Sequence, residues 1–265
     1  MEACTDFPSK KPAYPIAWHG VLRDTSAMNK ILLGLFFFFL MTCAQAAETS
    51  APATRTIYLV RHGNYVEDPA ADEKLGPGLS ALGVAQAHLV GARLAGLPVH
   101  FDTLYVSPMQ RAHDTAAIIA ADFPGRQFEV VEDLAECTPP TRQTKIMAKE
   151  KPEDLAACKA QLDRIFAKYF KPAVGAERSE LFVCHGNIIR YLVTQALGVD
   201  STAWLGMSVG HASITKIRVL ADGSFKVIAV GDVGHLPSNL LTGATGDPER
   251  SLLIPALPEK TPEKK

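Results

Sequence analysis

From Arg55 onward, short runs of β-branched and aromatic residues alternate with longer segments of helical periodicity. This alternation is typical of an α/β domain whose central sheet is mostly parallel, because a parallel connection needs a crossover helix. Residues 221–223 supply turn chemistry between the last two predicted strands, which should form a hairpin. The predicted strands are 56–60, 103–106, 128–131, 180–184, 213–219 and 225–230. We therefore expect one α/β domain with a three-layer α/β/α architecture.

Local signals also predict the helices. Ser80 can cap a helix that runs to about residue 94, and Ser107 followed by proline is typical of an N-cap and first helical position, opening a helix to about residue 121. Asn187 should begin a further helix that ends near residue 197. Between residues 153 and 170, apolar side chains recur every three or four positions and should pack inward. The segment 67–78 mixes charge with proline and glycine and is predicted to be a surface loop.

The composition excludes one class of partner. Lys and Arg total 27 against 28 Asp and Glu, whereas binding nucleic acid through its phosphates needs a basic surface. We therefore expect no nucleic-acid partner. The five cysteines form no C-x-x-C pair, which disfavours a thiolate zinc site. A disulfide between Cys137 and Cys158 is compatible with the sequence, which does not decide it.

The amino-terminal segment contains an apolar run at residues 31–41, about eleven residues long where a membrane-spanning helix needs roughly twenty. A start-codon candidate, Met28, precedes the run, and the small residues Ala44-Gln45-Ala46 follow it. This arrangement is typical of a secretory signal peptide over residues 28–46. We accordingly expect export to the periplasm, with no transmembrane span in the mature chain.

The signal peptide sets the expected domain boundaries. Residues 1–27 would be an over-extended start or a long leader, residues 47–243 the folded domain, and residues 244–265 a polar, disordered tail. A lipid anchor at Cys43 is the less favoured alternative, because Thr42 is a poor residue at that position of a lipobox.

Cationic or titratable residues follow three of the predicted strands. They are Arg61-His62-Gly63-Asn64 after the first strand, Ser107 and Arg111 after the second, and His185-Gly186-Asn187 after the fourth. The carboxyl ends of parallel strands meet at one edge of a sheet, so these side chains should converge there. Guanidinium groups and the free N–H groups of helix starts match a tetrahedral oxyanion. The sequence therefore predicts a phosphoryl-binding site.

Three motifs in this order carry a family resemblance: R-H-G-N from Arg61, S-P-M-Q-R-A from Ser107 and H-G from His185. Together they resemble the histidine phosphatase superfamily, also called the phosphoglycerate mutase-like family, over nearly all of residues 55–243. The segments that begin at Val183 and Gly231 most resemble its branch of mitochondrial Ser/Thr protein phosphatases and their bacterial relatives.

The resemblance implies a phosphatase mechanism. His62 would be the nucleophile and form a phosphohistidine that water hydrolyses. Arg61, Arg111 and His185 would hold the phosphoryl oxygens and neutralise their charge, so that His185 belongs to both the catalytic and the binding residues. Asn64 would add a hydrogen bond to the phosphate. No metal ion and no cofactor would be required.

The resemblance also implies a general acid for the leaving oxygen. Glu136 lies in the sequence L-x-E-x-x-P, where that branch places its acid. Glu132 and Asp133 are the alternatives, since alignment in a loop can slip.

Several alternatives stay open at this point. A phosphoglycerate mutase would return the phosphoryl group to its substrate, and a non-catalytic phosphate-binding or scaffold module would release none. The phosphorylated partner could be a phosphoprotein or a small phosphomonoester, and the oligomeric state is undecided. His211 departs from the Asn or small polar residue that relatives often carry there, and Arg190 is expected to form a salt bridge beneath the site.

Overall fold

The computed structural model describes residues 50–243. The predicted leader (1–27), signal peptide (28–46) and tail (244–265) lie outside this range. Among residues 50–243, no helix combines the length and the apolar character that crossing a bilayer requires.

Within residues 50–243, eight strands form two sheets. They are β1 (Pro52–Ala53), β2 (Arg55–Arg61), β3 (Thr103–Val106), β4 (Phe128–Val130), β5 (Ala173–Val174), β6 (Arg178–Cys184), β7 (Ile214–Val219) and β8 (Phe225–Asp232). The main sheet has the order β4-β3-β6-β2-β7-β8, and the short strands β1 and β5 pair separately. Strands β4, β3, β6 and β2 run parallel, whereas β7 and β8 form an antiparallel hairpin beside β2. The prediction of a mostly parallel sheet with a terminal hairpin is confirmed.

The central strands are buried on both faces, as their continuous apolar sequences predict. In β2, Ile57 and Leu59 pack with the helices on one face, and Tyr58 and Val60 with those on the other; all four are at most 3% exposed. The edge strand β8 instead alternates intermediate and exposed residues, consistent with one solvent-facing side.

Residues 50–243 also form five α-helices. They are α1 (Ala81–Ala95), α2 (Gln110–Ala120), α3 (Thr144–Met147), α4 (Pro152–Tyr169) and α5 (Gly186–Leu197). Buried residues of α1 and α2 pack with Tyr58 and Val60, and those of α4 and α5 pack with Ile57 and Leu59. The two helical layers thus cover opposite faces of the sheet, which confirms the three-layer architecture.

Two predicted helix starts differ from the structure. Ser80 caps α1 as predicted, its Oγ accepting from the N–H of Gly83. The predicted start at Ser107 is wrong, because α2 begins at Gln110; the Ser107 hydroxyl accepts the N–H of Met109 and also hydrogen-bonds the ring of His185. Helix α5 begins at Gly186, one residue before the predicted Asn187. The predicted loop at 67–78 contains no helix or strand.

The apolar stripe of α4 faces inward as predicted, and it carries one end of a disulfide. Leu155, Leu162 and Ile165 are buried in the core, and Cys158 on the same stripe bonds Cys137 across a sequence separation of 21. This settles the pairing that the sequence left open. The disulfide fastens the loop after β4 to helix α4.

Candidate active site

The carboxyl ends of three neighbouring parallel strands meet at one edge of the sheet. Strand β2 ends at Arg61 and is followed by His62, β3 is followed by Ser107, and β6 is followed by His185. The rings of His62 and His185 lie 5.0 Å apart, centroid to centroid. The predicted convergence of these motifs is therefore present.

The tautomer of His62 follows from its hydrogen bonds. Its Nδ1 lies 2.8 Å from the carbonyl oxygen of Gly63, which can only accept, so Nδ1 carries the proton. The Nε2 atom then holds a lone pair, and the Nε–H of Arg111 points at it across 3.2 Å. A Cβ on Gly63 would lie 2.5 Å from the carbonyl oxygen of Gly83, so only glycine allows the chain to pass here.

The environment keeps His62 neutral. The ring is 1% exposed, and this burial lowers its pKa well below the usual histidine range. The adjacent guanidinium groups of Arg61 and Arg111 depress the pKa further by charge repulsion. A neutral imidazole with an unprotonated Nε2 is the form that can act as a nucleophile.

Two arginines border the His62 ring. Arg111 is 6% exposed, and its guanidinium carbon lies 4.8 Å above the ring of Tyr65. Arg61 donates from Nη1 to the carbonyl oxygens of Val209 (2.8 Å) and Gly243 (3.1 Å), while its buried Nε has no partner among residues 50–243. Burial lowers the pKa of Arg61 to about 10, which leaves it charged at neutral pH.

His185 is held on one side only. Its Nε2 lies 2.7 Å from Oγ of Ser107, whereas its buried Nδ1 has no hydrogen-bond partner in the described part of the chain. The nearest carboxylate oxygen, Oε2 of Glu136, is 3.8 Å from that Nδ1. Burial, with repulsion from Arg111 and Arg61, lowers the pKa of His185. One edge of this ring is thus free for a ligand.

Glu136 is the carboxylate that reaches the site. Burial raises its pKa to about 7, although Arg61, Arg111 and Arg190 each pull it down. The alternatives lie elsewhere: Glu132 is exposed, and Asp133 pairs with Arg164 at 2.7 Å. A carboxyl group that is half protonated near neutral pH suits general acid and base work.

The remaining predicted residues have mixed outcomes. The Oδ1 atom of Asn64 accepts the Ser80 hydroxyl at 2.7 Å, so a phosphate contact by its amide nitrogen stays a prediction. Arg190 forms no ion pair within 4 Å in the range 50–243, so the expected salt bridge is not found; its Nη1 donates to Oδ1 of Asn187 at 3.4 Å. Arg190 instead acts on the pKa of Glu136.

Sequence reasoning missed several residues of the site. The sequence predicts a helix cap for the Ser107 hydroxyl and no role for Tyr65, and it marks His211 only as a departure from the pattern of relatives. The His211 ring lies 5.4 Å from that of His62 and 6.1 Å from that of Tyr65. A polar or aromatic residue directly after the R-H-G-N motif is the signal that could have indicated Tyr65.

A cation could in principle find ligands here. His62, Glu136 and His185 each offer one ligand atom, and these atoms lie within 4.8 Å of one another. The guanidinium groups of Arg61 and Arg111 beside them favour an anion over a cation. The arrangement as a whole is suited to a tetrahedral oxyanion that faces a nucleophilic ring.

The chain matches known proteins over this same region. A family model described as "Histidine phosphatase superfamily (branch 1)" matches residues 57–232. The mitochondrial Ser/Thr-protein phosphatase Pgam5 of Caenorhabditis elegans is 35% identical over 201 residues, which are 74% of this chain and 69% of the relative. The human PGAM5 is 33% identical over 197 residues, 72% of this chain and 67% of the relative.

A solved structure supports the fold. Alpha-ribazole phosphatase from Shigella flexneri superposes with a TM-score of 0.53 at 18% identity, covering 67% of this chain and 96% of that one. These relationships confirm the predicted superfamily and architecture. The predicted export to the periplasm is wrong, because the similar curated proteins are named as mitochondrial. With the model match spanning both histidines and both arginines, the chain belongs to the histidine phosphatase superfamily.

Proposed function

We propose that the protein is a metal-independent phosphomonoesterase that works through a phosphohistidine at His62. Superfamily membership and the phosphatase names of the similar proteins support phosphatase activity. The observation that carries the mechanism is the tautomer of His62. Its Nδ1–H is fixed on the carbonyl oxygen of Gly63, so a buried, neutral Nε2 lone pair faces Arg111.

In the first step, Nε2 of His62 attacks phosphorus and forms the P–N bond. The bond between phosphorus and the ester oxygen breaks, and the electron pair leaves with that oxygen. Protonated Glu136 supplies the proton that makes it a neutral alcohol. Arg61 and Arg111 hold the equatorial oxygens, whose charge must be stabilised in a loose transition state.

In the second step, the now ionised Glu136 takes a proton from water, whose oxygen attacks phosphorus. The P–N bond breaks, its electron pair returns to Nε2, and inorganic phosphate leaves. Glu136 is protonated again and His62 is neutral, so the cycle closes with no metal ion. The pKa of about 7 suits Glu136 to both steps near neutral pH.

Ser107 would position His185 for this reaction. The Ser107 hydroxyl accepts the N–H of Met109 at 3.2 Å, so its own proton is free to be donated to Nε2 of His185. If the Ser107 hydroxyl donates to Nε2, the single proton of the neutral His185 ring lies on Nδ1, which is then an N–H donor on the side that faces Glu136. His185 would thereby present a donor to a phosphoryl oxygen.

For the substrate we propose phosphoserine or phosphothreonine in a protein. The similar curated proteins are named Ser/Thr-protein phosphatases and cover over 70% of this chain. The arginines and histidines described above suit a phosphoryl group, which every phosphomonoester shares.

The test is phosphate release by the full chain in EDTA, from p-nitrophenyl phosphate and from a phosphothreonine peptide. We expect turnover of both substrates, loss of turnover in His62→Ala and slower turnover of the peptide in Glu136→Ala. His88→Ala is the matched control, because His88 is exposed on α1 away from the three strand ends. Activity that needs added metal, or that survives in His62→Ala, would refute the mechanism.

A further inference from the structure

The segment after β8 closes over the arginine side of the site. Residues 240–243, which we name the strap, contact two residues of the site, Arg61 and His211. The carbonyl oxygen of Gly243 accepts from Arg61, and that of Thr242 accepts from the backbone N–H of His211 at 3.0 Å. A Cβ on Gly243 would lie 2.8 Å from both the Arg61 guanidinium and the His211 ring, so the strap packs directly on these side chains.

A buried glutamine fixes the direction of the hydrogen bonds in the strap. Oε1 of Gln86 accepts the backbone N–H of Asn64 at 2.7 Å, so this atom is the oxygen of the amide. Its Nε2 therefore donates, to the carbonyl oxygen of Leu240 at 2.6 Å and to Oγ1 of Thr242 at 2.8 Å. Because both ends of the amide have partners of fixed polarity, its orientation is unambiguous.

The hydrogen bonds of Thr242 also determine the tautomer of His211. Oγ1 of Thr242 already accepts from Gln86, and the only other partner of this hydroxyl among residues 50–243 is Nδ1 of His211, at 2.9 Å. If Thr242 donates to Nδ1, the one polar group left unpaired is an N–H at Nε2 of His211. The opposite tautomer would leave two groups unpaired, the Thr242 hydroxyl proton and the Nε2 lone pair, and buried unpaired groups are costly.

The resulting N–H of His211 has no acceptor in the described part of the protein. The side chain is 7% exposed, its Nε2 is buried without a partner, and its ring lies 5.4 Å from that of His62. Burial and repulsion from Arg61 and Arg111 lower the pKa of His211 to about 2, so the ring stays neutral and carries a single proton. Such a donor beside a nucleophile suits an anionic oxygen.

We propose that His211 is a further phosphoryl-binding residue, whose Nε2–H donates to a phosphoryl oxygen and is oriented by the chain from Gln86 through Thr242. The proposal rests on the proposed function only for the presence of a phosphoryl group next to His62. The strap is then part of the binding site, because it sets the tautomer of this histidine.

The test compares two replacements that differ in their ability to donate. His211→Gln keeps a side-chain N–H donor, and His211→Leu has none. Affinity for inorganic phosphate is measured by calorimetry, and affinity for orthovanadate by inhibition of p-nitrophenyl phosphate hydrolysis. We expect His211→Leu to weaken both ligands by about 10- to 100-fold, as for loss of one hydrogen bond to a charged group, and His211→Gln to recover part of this loss. His88→Ala should change neither.

A second measurement examines the unmodified protein. Nitrogen-15 NMR of the imidazoles, with His211→Gln to assign the signals, should show His211 protonated at Nε2 and unprotonated at Nδ1. A proton on Nδ1, or equal phosphate affinity in the Leu and Gln variants, would overturn the proposal. Calorimetry with inorganic phosphate measures binding without turnover. The His211 assignment is therefore tested independently of the phosphohistidine mechanism, which is tested by turnover in His62→Ala.

Discussion

Replacement of Glu136 by Gln should separate substrates by the quality of their leaving groups. The substitution keeps the size and the partly buried position of the side chain and removes its titratable proton. Phenyl phosphate has a poor leaving group that needs protonation, whereas p-nitrophenolate leaves without it. Because kcat/KM reports the steps up to departure of the leaving group, the loss should be much larger for phenyl phosphate than for p-nitrophenyl phosphate.

The expected size and pH dependence follow from the site. A positioned general acid contributes about 10²- to 10⁴-fold, so kcat/KM for phenyl phosphate should drop by that factor and kcat/KM for p-nitrophenyl phosphate by less than about tenfold. In the parent protein, Glu136 with a pKa of about 7 is protonated below that pH. The kcat/KM for phenyl phosphate should therefore fall about tenfold per pH unit above 7.

The assay is a pH series from 5 to 9 with both substrates, for the parent protein, Glu136→Gln and Asp133→Asn. Asp133 is a matched carboxylate that pairs with Arg164 outside the site, so its variant should keep the parent profile. The alkaline decline should disappear in Glu136→Gln. An equal loss for both substrates, or an alkaline limb that persists in this variant, would refute the assignment of Glu136 as the acid.

Three further predictions concern the structure around the acid. Ser107→Ala should lower kcat about tenfold with little change in Tm, because the tautomer of His185 is no longer fixed; an unchanged kcat in steady-state assays would contradict this. Cys158→Ser should lower the free energy of unfolding in urea by about 3 kcal/mol, because the disulfide closes a loop between cysteines with a sequence separation of 21. Equal stability of the variant and the parent would show that the disulfide is not formed. Glu136→Gln should raise Tm relative to the parent at pH 8 and not at pH 4. The reason is that the pKa of Glu136 in the folded state is raised above the usual carboxyl value, so its ionisation above about pH 7 opposes folding. A difference in Tm that does not depend on pH would exclude this cause.

The parts of this structure that a sequence predicts are those with a local signal. The apolar runs 57–60 and 181–184 are buried in strands because their residues are suited to a sheet covered on both faces. The positions of His62 and His185 follow from the rule that residues after parallel strands share one edge of the sheet. Each of these inferences uses neighbours in sequence and a general rule of packing.

The features that the sequence does not predict depend on contacts between residues far apart in the chain. Ser107 and His185 are separated by 78 residues, and Gln86 and Thr242 by 156. No local pattern indicates that a hydroxyl typical of a helix cap will orient a histidine ring, or that a helical glutamine will fix the polarity of a distant threonine. The Cys137–Cys158 bond was undecided for the same reason, since spacing alone does not bring two thiols together.

The central claim is a covalent phosphohistidine at His62, and it is tested most directly by trapping that species. Glu136→Gln should form it readily from p-nitrophenyl phosphate, which needs no acid, and hydrolyse it slowly, because no base activates the water. Rapid mixing followed by an alkaline quench should show a burst of about one p-nitrophenolate per protein and phosphate attached to the peptide that contains His62. Turnover without a burst, or phosphate attached to any other residue, would contradict the account.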